Sequence, residues 1–306
     1  MGKKLKITIG VLVPVTLLAL LAFLIRGNSI PVLDPKGPIA EKQLDLLVFA
    51  SLLSLLVVIP VFILTFWIVH KYRDTNKKTH GKALDKAKQD KNYQPNWSHN
   101  TVAETVWWGI PIILIVILGS VIWTSSHELD PYKPLASDKK ALEIQVIALP
   151  WRWLFIYPEQ QIATVNYMPI PNNTPINLTI TADSPMNSFW VPQLAGQIYA
   201  MSGMSTKLHI MSNETGVYQG SSANLSGEGY ADMKFSVNSL PDTTFNKWVI
   251  QTKQSTDKLT DDSYAALAKP SKETKQQAFF LEQKSLYDNV VNKYMAPTKH
   301  KETASE

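Results

Sequence analysis

Side chains able to do chemistry gather at two places in this chain. The first is Tyr218 to Phe235, YQGSSANLSGEGYADMKF, where Ser222, Asn224, Ser226, Tyr230 and Met233 follow the pattern S-x-N-x-S-x3-Y-x2-M. Asn187 stands upstream of it in DSPMNSFWVP. Met233 is the one soft donor in that set; hydroxyls, amides and a phenol are hard, neutral groups. The second place is Glu104, an acid just ahead of Trp107 and Trp108 where a long apolar run begins. An ionisable group beside a membrane span is a functional candidate by default. Its plain alternative is a helix-start acid that interacts with the helix dipole.

The spacing of the first stretch has a metal-binding counterpart. A dinuclear copper centre of the CuA type reads C-x-E-x-C-x3-H-x2-M, with a further His upstream. Counting back from Met233, Tyr230 stands at the His position and Ser226 and Ser222 at the two Cys positions. Asn224 occupies the acidic position and Asn187 the upstream His position. Copper requires thiolate and imidazole donors, so the pattern persists without its chemistry. Taken by itself the stretch is also an ordinary turn composition.

The rest of the composition narrows the choices. Among the 306 residues there is no Cys, which removes disulfides, thiolate metal sites, Cys nucleophiles and a lipidated Cys. The six His residues are His70, His80, His99, His127, His209 and His300, none paired at metal-ligand spacing. The net charge of +5 is concentrated in particular segments and is no nucleic-acid signal. There is no Gly-rich phosphate loop and no G-x-S-x-G.

The elements that must position these residues follow in order. Residues 1–27 hold Lys3, Lys4 and Lys6 and then an apolar run to Ile25; they read as a signal-like or additional membrane segment. Residues 28–124 read as a hairpin of two membrane helices. Leu44 to Val69 exceeds the ~20 residues that span a bilayer, and Thr105 to Trp123 forms the second run, flanked by Trp. Between them, residues 70–99 are rich in Lys and Arg, which places that loop in the cytoplasm and the rest of the chain outside it. Residues 125–241 alternate with period two between turn clusters and predict a small β-sandwich or Greek-key barrel. Residues 242–306 predict a helical extension with helices over Phe245 to Gln254, Asp261 to Ala268 and Lys275 to Tyr294, then a polar tail. The expected fold class is therefore membrane-anchored α+β: a helix hairpin, a cupredoxin-like sandwich and a helical extension.

With these elements in place the chain resembles subunit II of the haem-copper terminal oxidases, and within them the quinol-oxidising bo type. The stretches that carry the resemblance are LDPKGPI, KYR, YQPNWSHN, Glu104 to Leu114, PWRWLFIYPEQQIATVN, MNSFWVPQLAGQIYAMSGM and SGEGYADMKF. They cover nearly the whole chain after Asn28. The resemblance implies a non-redox subunit of a proton-pumping quinol oxidase in the bacterial cytoplasmic membrane, with its C-terminal domain outside. It implies haems and one copper in subunit I, quinol as substrate, no cofactor here, and partners in subunit I, small membrane subunits and lipid. It places Glu104 at the mouth of a proton pathway into subunit I, and it makes Asn187, Ser222, Asn224, Ser226, Tyr230 and Met233 a vestigial copper site. Arg26 and Gly27 stand where bo-type relatives carry a lipidated Cys.

Some alternatives stay open at this level. Trp151 and Trp153 read as candidates for packing against subunit I, or as an electron-relay surface of the kind found in copper-containing relatives. Met201, Met204 and Met233 read as packing rather than a residual copper site. His209 reads as a satisfied strand residue. A different class of function is a free-standing, membrane-anchored, cupredoxin-like binding protein.

Overall fold

In the computed structural model the described residues are 30–72, 98–272 and 274–295. The leading apolar run, most of the basic loop and the polar tail lie outside them. Among the described residues two helices are long and apolar enough to cross a membrane: α1 (Pro38–Tyr72) and α2 (Thr101–Glu128). Each carries an internal proline, Pro60 and Pro111. Their hydroxyl side chains turn back onto the helix: Ser54 and Thr65 donate to the carbonyls of Ala50 and Val61 at 2.8 and 2.7 Å, and Ser120 to that of Val116 at 2.8 Å. A hydroxyl with no water within reach must find such a partner. Residues 45–128 form one compact unit, and the flanking residues form the other.

The second unit is a two-sheet sandwich. Its first three strands are β1 (Leu142–Leu149), β2 (Arg152–Tyr157) and β3 (Ile162–Val165). Next come β4 (Tyr167–Pro171), β5 (Ile176–Ala182), β6 (Asn187–Trp190) and β7 (Ile198–Ala200). The remainder of the sandwich proper is β8 (Thr206–Ile210), β9 (Gly216–Ser222) and β10 (Lys234–Leu240). The extension adds α3 (Asp242–Lys253), β11 (Lys258–Leu259), α4 (Asp261–Leu267), β12 (Gln277–Leu281) and α5 (Leu286–Met295). One sheet has the order β11-β12-β3-β2-β1-β5-β8 and the other β4-β10-β9-β6-β7.

Strand alternation decides what each face buries. On β2, Trp153, Phe155 and Tyr157 enter the core between the sheets, while Leu154 and Ile156 point to the opposite face. On β1, Val146 and Ala148 face inward, and Ile147 and Leu149 face out. Both faces are therefore apolar, as in sheets covered on two sides. The outer face is covered by Leu259, Leu267, Leu281 and the apolar stripe Leu286, Tyr287, Val290 and Val291 of α5.

One expectation is corrected here. Lys275 to Tyr294 is not a single helix. Gln277–Leu281 is strand β12, antiparallel to β3, and α5 begins only at Leu286. Without β12, β3 would present an open row of backbone groups, and pairing outweighs the local helical spacing. Thr260 does start a helix: its hydroxyl caps α4 in a reciprocal pair with Ser263.

Two contacts clamp remote segments to the sandwich. Ahead of α1, Lys36 N–H donates to Gln193 O at 2.7 Å and Asn213 N–H to Lys36 O at 2.8 Å. A side chain on Gly37 would meet Met211 O at 2.2 Å, so this backbone approach requires glycine. At the other end the Asp183 carboxylate, its side chain only 3% exposed, accepts from Lys293 Nζ, Tyr264 OH and Tyr294 OH at 2.7, 2.7 and 2.5 Å. Burial alone pushes the Asp183 carboxyl up; the bonds from Lys293, Tyr294 and Tyr264 outweigh it and hold it below the usual range.

Asp183→Asn should therefore loosen the extension, at a cost of about 1.5–3 kcal/mol by the usual worth of bonds to a charged group. Because the folded carboxyl is the stronger acid, its contribution is complete above about pH 4 and is lost as pH falls through the lower folded value. Thermal melting at several pH values checks this. Equal melting of parent and variant at neutral pH would remove the latch from the account.

Candidate functional site

β6, β9 and the turn before β10 bring Asn187, Ser222 and Asn224 of the candidate positions together. Ser222 Oγ lies 3.1 Å from Asn187 Oδ1 and 3.2 Å from the Asn224 carbonyl, so the hydroxyl has acceptors from two of them. Asn187 Nδ2 donates to Pro185 O at 2.7 Å and Ser184 Oγ at 3.1 Å. Asn224 Nδ2 donates to Met186 O at 3.0 Å. Backbone bonds from Ala223 to Ser188 O at 2.9 Å and from Ser222 to Met233 O at 3.2 Å fasten the strand ends. Tyr230 opens the short 3-10 turn Tyr230–Asp232, and Met233 is buried in the inter-sheet core. Ser226 offers its carbonyl; its buried hydroxyl has no partner among the described residues.

These residues do not fit a copper ion. The Asn187 amide spends its donors on carbonyl and hydroxyl oxygens, and its own oxygen lies at hydrogen-bonding distance from Ser222. Met233 packs among aromatic rings. The network is neutral and closed on itself, whereas a copper centre needs anionic sulfur and imidazole lone pairs aimed at one point. Among the described residues no three His, Asp or Glu side chains converge.

Trp151 closes this loop from the β1–β2 turn. With Pro150 it forms the two-residue connection between Leu149 and Arg152, and it sits at φ 64. Pro followed by a positive-φ residue is the type II arrangement, in which glycine is usual. The indole lies over the following turn: Nε1 donates to Ser226 O at 3.2 Å, and a side chain at Gly229 would meet the ring at 2.3 Å. Local strain of this kind persists only where surroundings impose it.

Trp153 is a correction. It was a candidate for packing against another subunit, but it is 0% exposed and stacks edge-on to Phe189 at 5.4 Å within the core. Alternation from Phe155 and Tyr157 dictates that place. Trp151, by contrast, is half-buried. Met204 is exposed, and Met201 half-buried. His209 is buried, with Nδ1 2.7 Å from Asn177 Oδ1, and burial pushes its imidazole down.

Glu104 lies in the first turn of α2. Asn100 caps the helix, its Oδ1 accepting from Ala103 N–H at 2.9 Å, and Glu104 Oε1 accepts in return from Asn100 N–H at 3.0 Å. His99 Nδ1 lies 2.6 Å from the same carboxylate oxygen. Sequence reasoning passed over His99, although an imidazole five residues ahead of an acid at a helix start is a readable pairing.

Fold and site define a class: a cupredoxin-like domain borne on apolar helices, with hydrogen-bonded polar side chains where a copper pattern would stand. Residues 122–240 match the family described as cytochrome c oxidase subunit II, periplasmic domain, and residues 253–298 the COX aromatic rich motif. The cytochrome bo(3) ubiquinol oxidase subunit 2 of Pseudomonas putida is 46% identical over 89% of this chain and 82% of its own length. The ubiquinol oxidase subunit 2 of Acetobacter aceti is 42% identical over 89% of this chain and 85% of its own. Among solved structures, the periplasmic domain of cytochrome oxidase subunit II from Bradyrhizobium japonicum is 21% identical with a TM-score of 0.37, over 39% of this chain and 96% of that one. The chain belongs to the subunit 2 family of the ubiquinol oxidases.

Gly229→Ala should force the Trp151 indole off the loop and cost about 1–3 kcal/mol, the usual penalty of overpacking. Adding Trp151→Ala should leave less than the sum of the two single losses. Melting curves of the detergent-solubilised chain report both values. Additive losses would mean that the two residues do not share this contact.

Proposed function

We propose that this chain is the non-redox subunit II of a proton-pumping quinol oxidase that couples quinol oxidation to reduction of oxygen to water. The observation that carries the reading is the Ser222–Asn187 pair at 3.1 Å. Two positions of a copper pattern satisfy each other, so the loop keeps its shape without an electron-accepting metal. A quinol-oxidising enzyme can dispense with that metal, since its electrons need not arrive through this domain. Haems and one copper then reside in subunit I, with which α1, α2 and the half-buried Trp151 would pack. The sandwich lies outside the bacterial cytoplasmic membrane, because the Lys- and Arg-rich loop between the helices belongs inside. Further small membrane subunits and lipid complete the surroundings of the apolar helices.

Glu104 is the chain's contribution to chemistry in this reading. At the cytoplasmic start of α2 its carboxyl exchanges protons with water and hands them to subunit I. Its hydrogen bond from Asn100 also supports the rival role of a helix-start acid, worth about 0.3–1 kcal/mol and nothing in turnover.

Membranes lacking this chain should lose quinol-dependent oxygen uptake and regain it when the chain is restored. Glu104→Gln should assemble with normal haem content yet turn over more slowly, because the amide accepts the Asn100 bond but carries no proton. Parental turnover of Glu104→Gln across the pH range would reduce Glu104 to a cap.

A further inference from the structure

A cavity of about 250 Å³ lies among residues that precede the apolar run of α1, residues that follow α2, and the edge of the sandwich. We propose that this cavity is a phospholipid headgroup site that selects a zwitterionic phosphate–ammonium head, that of phosphatidylethanolamine. The proposal rests on the reading that both apolar helices cross the membrane with the sandwich outside it.

Place in the chain comes first. Gln43 stands directly ahead of the apolar run that begins at Leu44, and Asp130 and Lys133 come just after α2 ends at Glu128. Polar residues that border a membrane span sit at the level of the headgroups. A ligand held here by its polar end can leave its acyl chains in the bilayer.

The wall carries one charge of each sign. Lys133 and Asp130 are exposed at the rim, and neither makes an ion pair with a described residue. Asp130 spends one carboxylate oxygen on Tyr132 N–H at 2.9 Å. An ammonium on a flexible stem binds phosphate as a point charge. The carboxylate in turn suits the ammonium of the same headgroup. His209 at the floor adds no charge, since its Nδ1 lies 2.7 Å from Asn177 Oδ1 and burial favours the neutral ring.

Two amides add neutral donors. Gln43 lies across Gly196, where a side chain would meet its Nε2 at 2.8 Å, so the bare glycine gives the amide its place in the wall. Gln197 accepts from Ser188 Oγ at 3.3 Å through Oε1, which leaves its own N–H groups to donate. An anionic headgroup without an amine would satisfy Lys133 but set a phosphate against Asp130 with nothing between them. The charge pattern therefore favours the zwitterion over phosphatidylglycerol.

Native mass spectrometry of the assembled oxidase, and of this chain purified alone, tests the site after detergent exchange. The probes are phosphatidylethanolamine, phosphatidylglycerol, free phosphoethanolamine and inorganic phosphate. The parent should hold phosphatidylethanolamine in preference to phosphatidylglycerol. Lys133→Gln and Asp130→Asn should each weaken that binding about tenfold or more, the usual loss of a bond to a charged group. Asp130→Asn should also erase the preference between the two lipids, which a general loss of structure would not do selectively. Both positions are exposed, so melting of the variants should match the parent. Unchanged binding in both variants, or equal binding of the two lipids by the parent, overturns the proposal. Free phosphoethanolamine or inorganic phosphate bound as tightly as the lipid makes this a site for soluble anions and also overturns it. A chain that joins no oxidase yet selects phosphatidylethanolamine through Lys133 and Asp130 removes the proposed function and leaves the site standing.

Discussion

Burial of the seven-stranded sheet on both faces sets the terms for everything outside the membrane in this chain. A sheet with apolar side chains on both sides needs two covers, and a single five-stranded partner supplies one. The other comes from the C-terminal extension, whose strands and helices lie over Ile147, Leu149, Leu154 and Ile156. The extension is held there by more than apolar contact. Asp183, at the end of β5, is deprived of water and would be costly to ionise alone. Lys293, Tyr294 and Tyr264 supply the compensation, and so join the last helices to the middle of the sandwich.

With the sandwich fixed in this way, the turn between β9 and β10 is held by hydrogen bonds of the protein itself. Its strand ends are tied by backbone bonds, and its side-chain positions pair among themselves. An indole from the neighbouring turn closes it, over glycines that leave room for the ring. At the start of α2, His99 Nδ1 lies 2.6 Å from Glu104 Oε1.

Much of this was legible in the sequence, for physical reasons. The two long helices announce themselves by length and apolarity, and the strands by alternation. The S-x-N-x-S-x3-Y-x2-M spacing was visible in the sequence, and the structure brings Asn187, Ser222 and Asn224 into one hydrogen-bonded group. Other features were hidden because they depend on partners far away in sequence. Gln277–Leu281 has no local reason to be a strand; the open edge of β3 supplies it. Asp183 and Lys293 are 110 positions apart, so nothing near either predicts their bond. Trp153 was a different kind of miss. Its alternation with Phe155 and Tyr157 already pointed inward, but a conspicuous tryptophan drew an interface reading instead.

The central claim is that this chain is a metal-free scaffold within a quinol-oxidising complex. Purification of a tagged chain in mild detergent, with a haem spectrum, copper analysis and identification of co-purifying chains, tests it most directly. A larger membrane subunit bearing haem should accompany the chain, with quinol-dependent oxygen consumption and no copper beyond that of subunit I. A chain that purifies alone without haem, or one that carries a further pair of copper ions with thiolate-type absorption, would contradict the account.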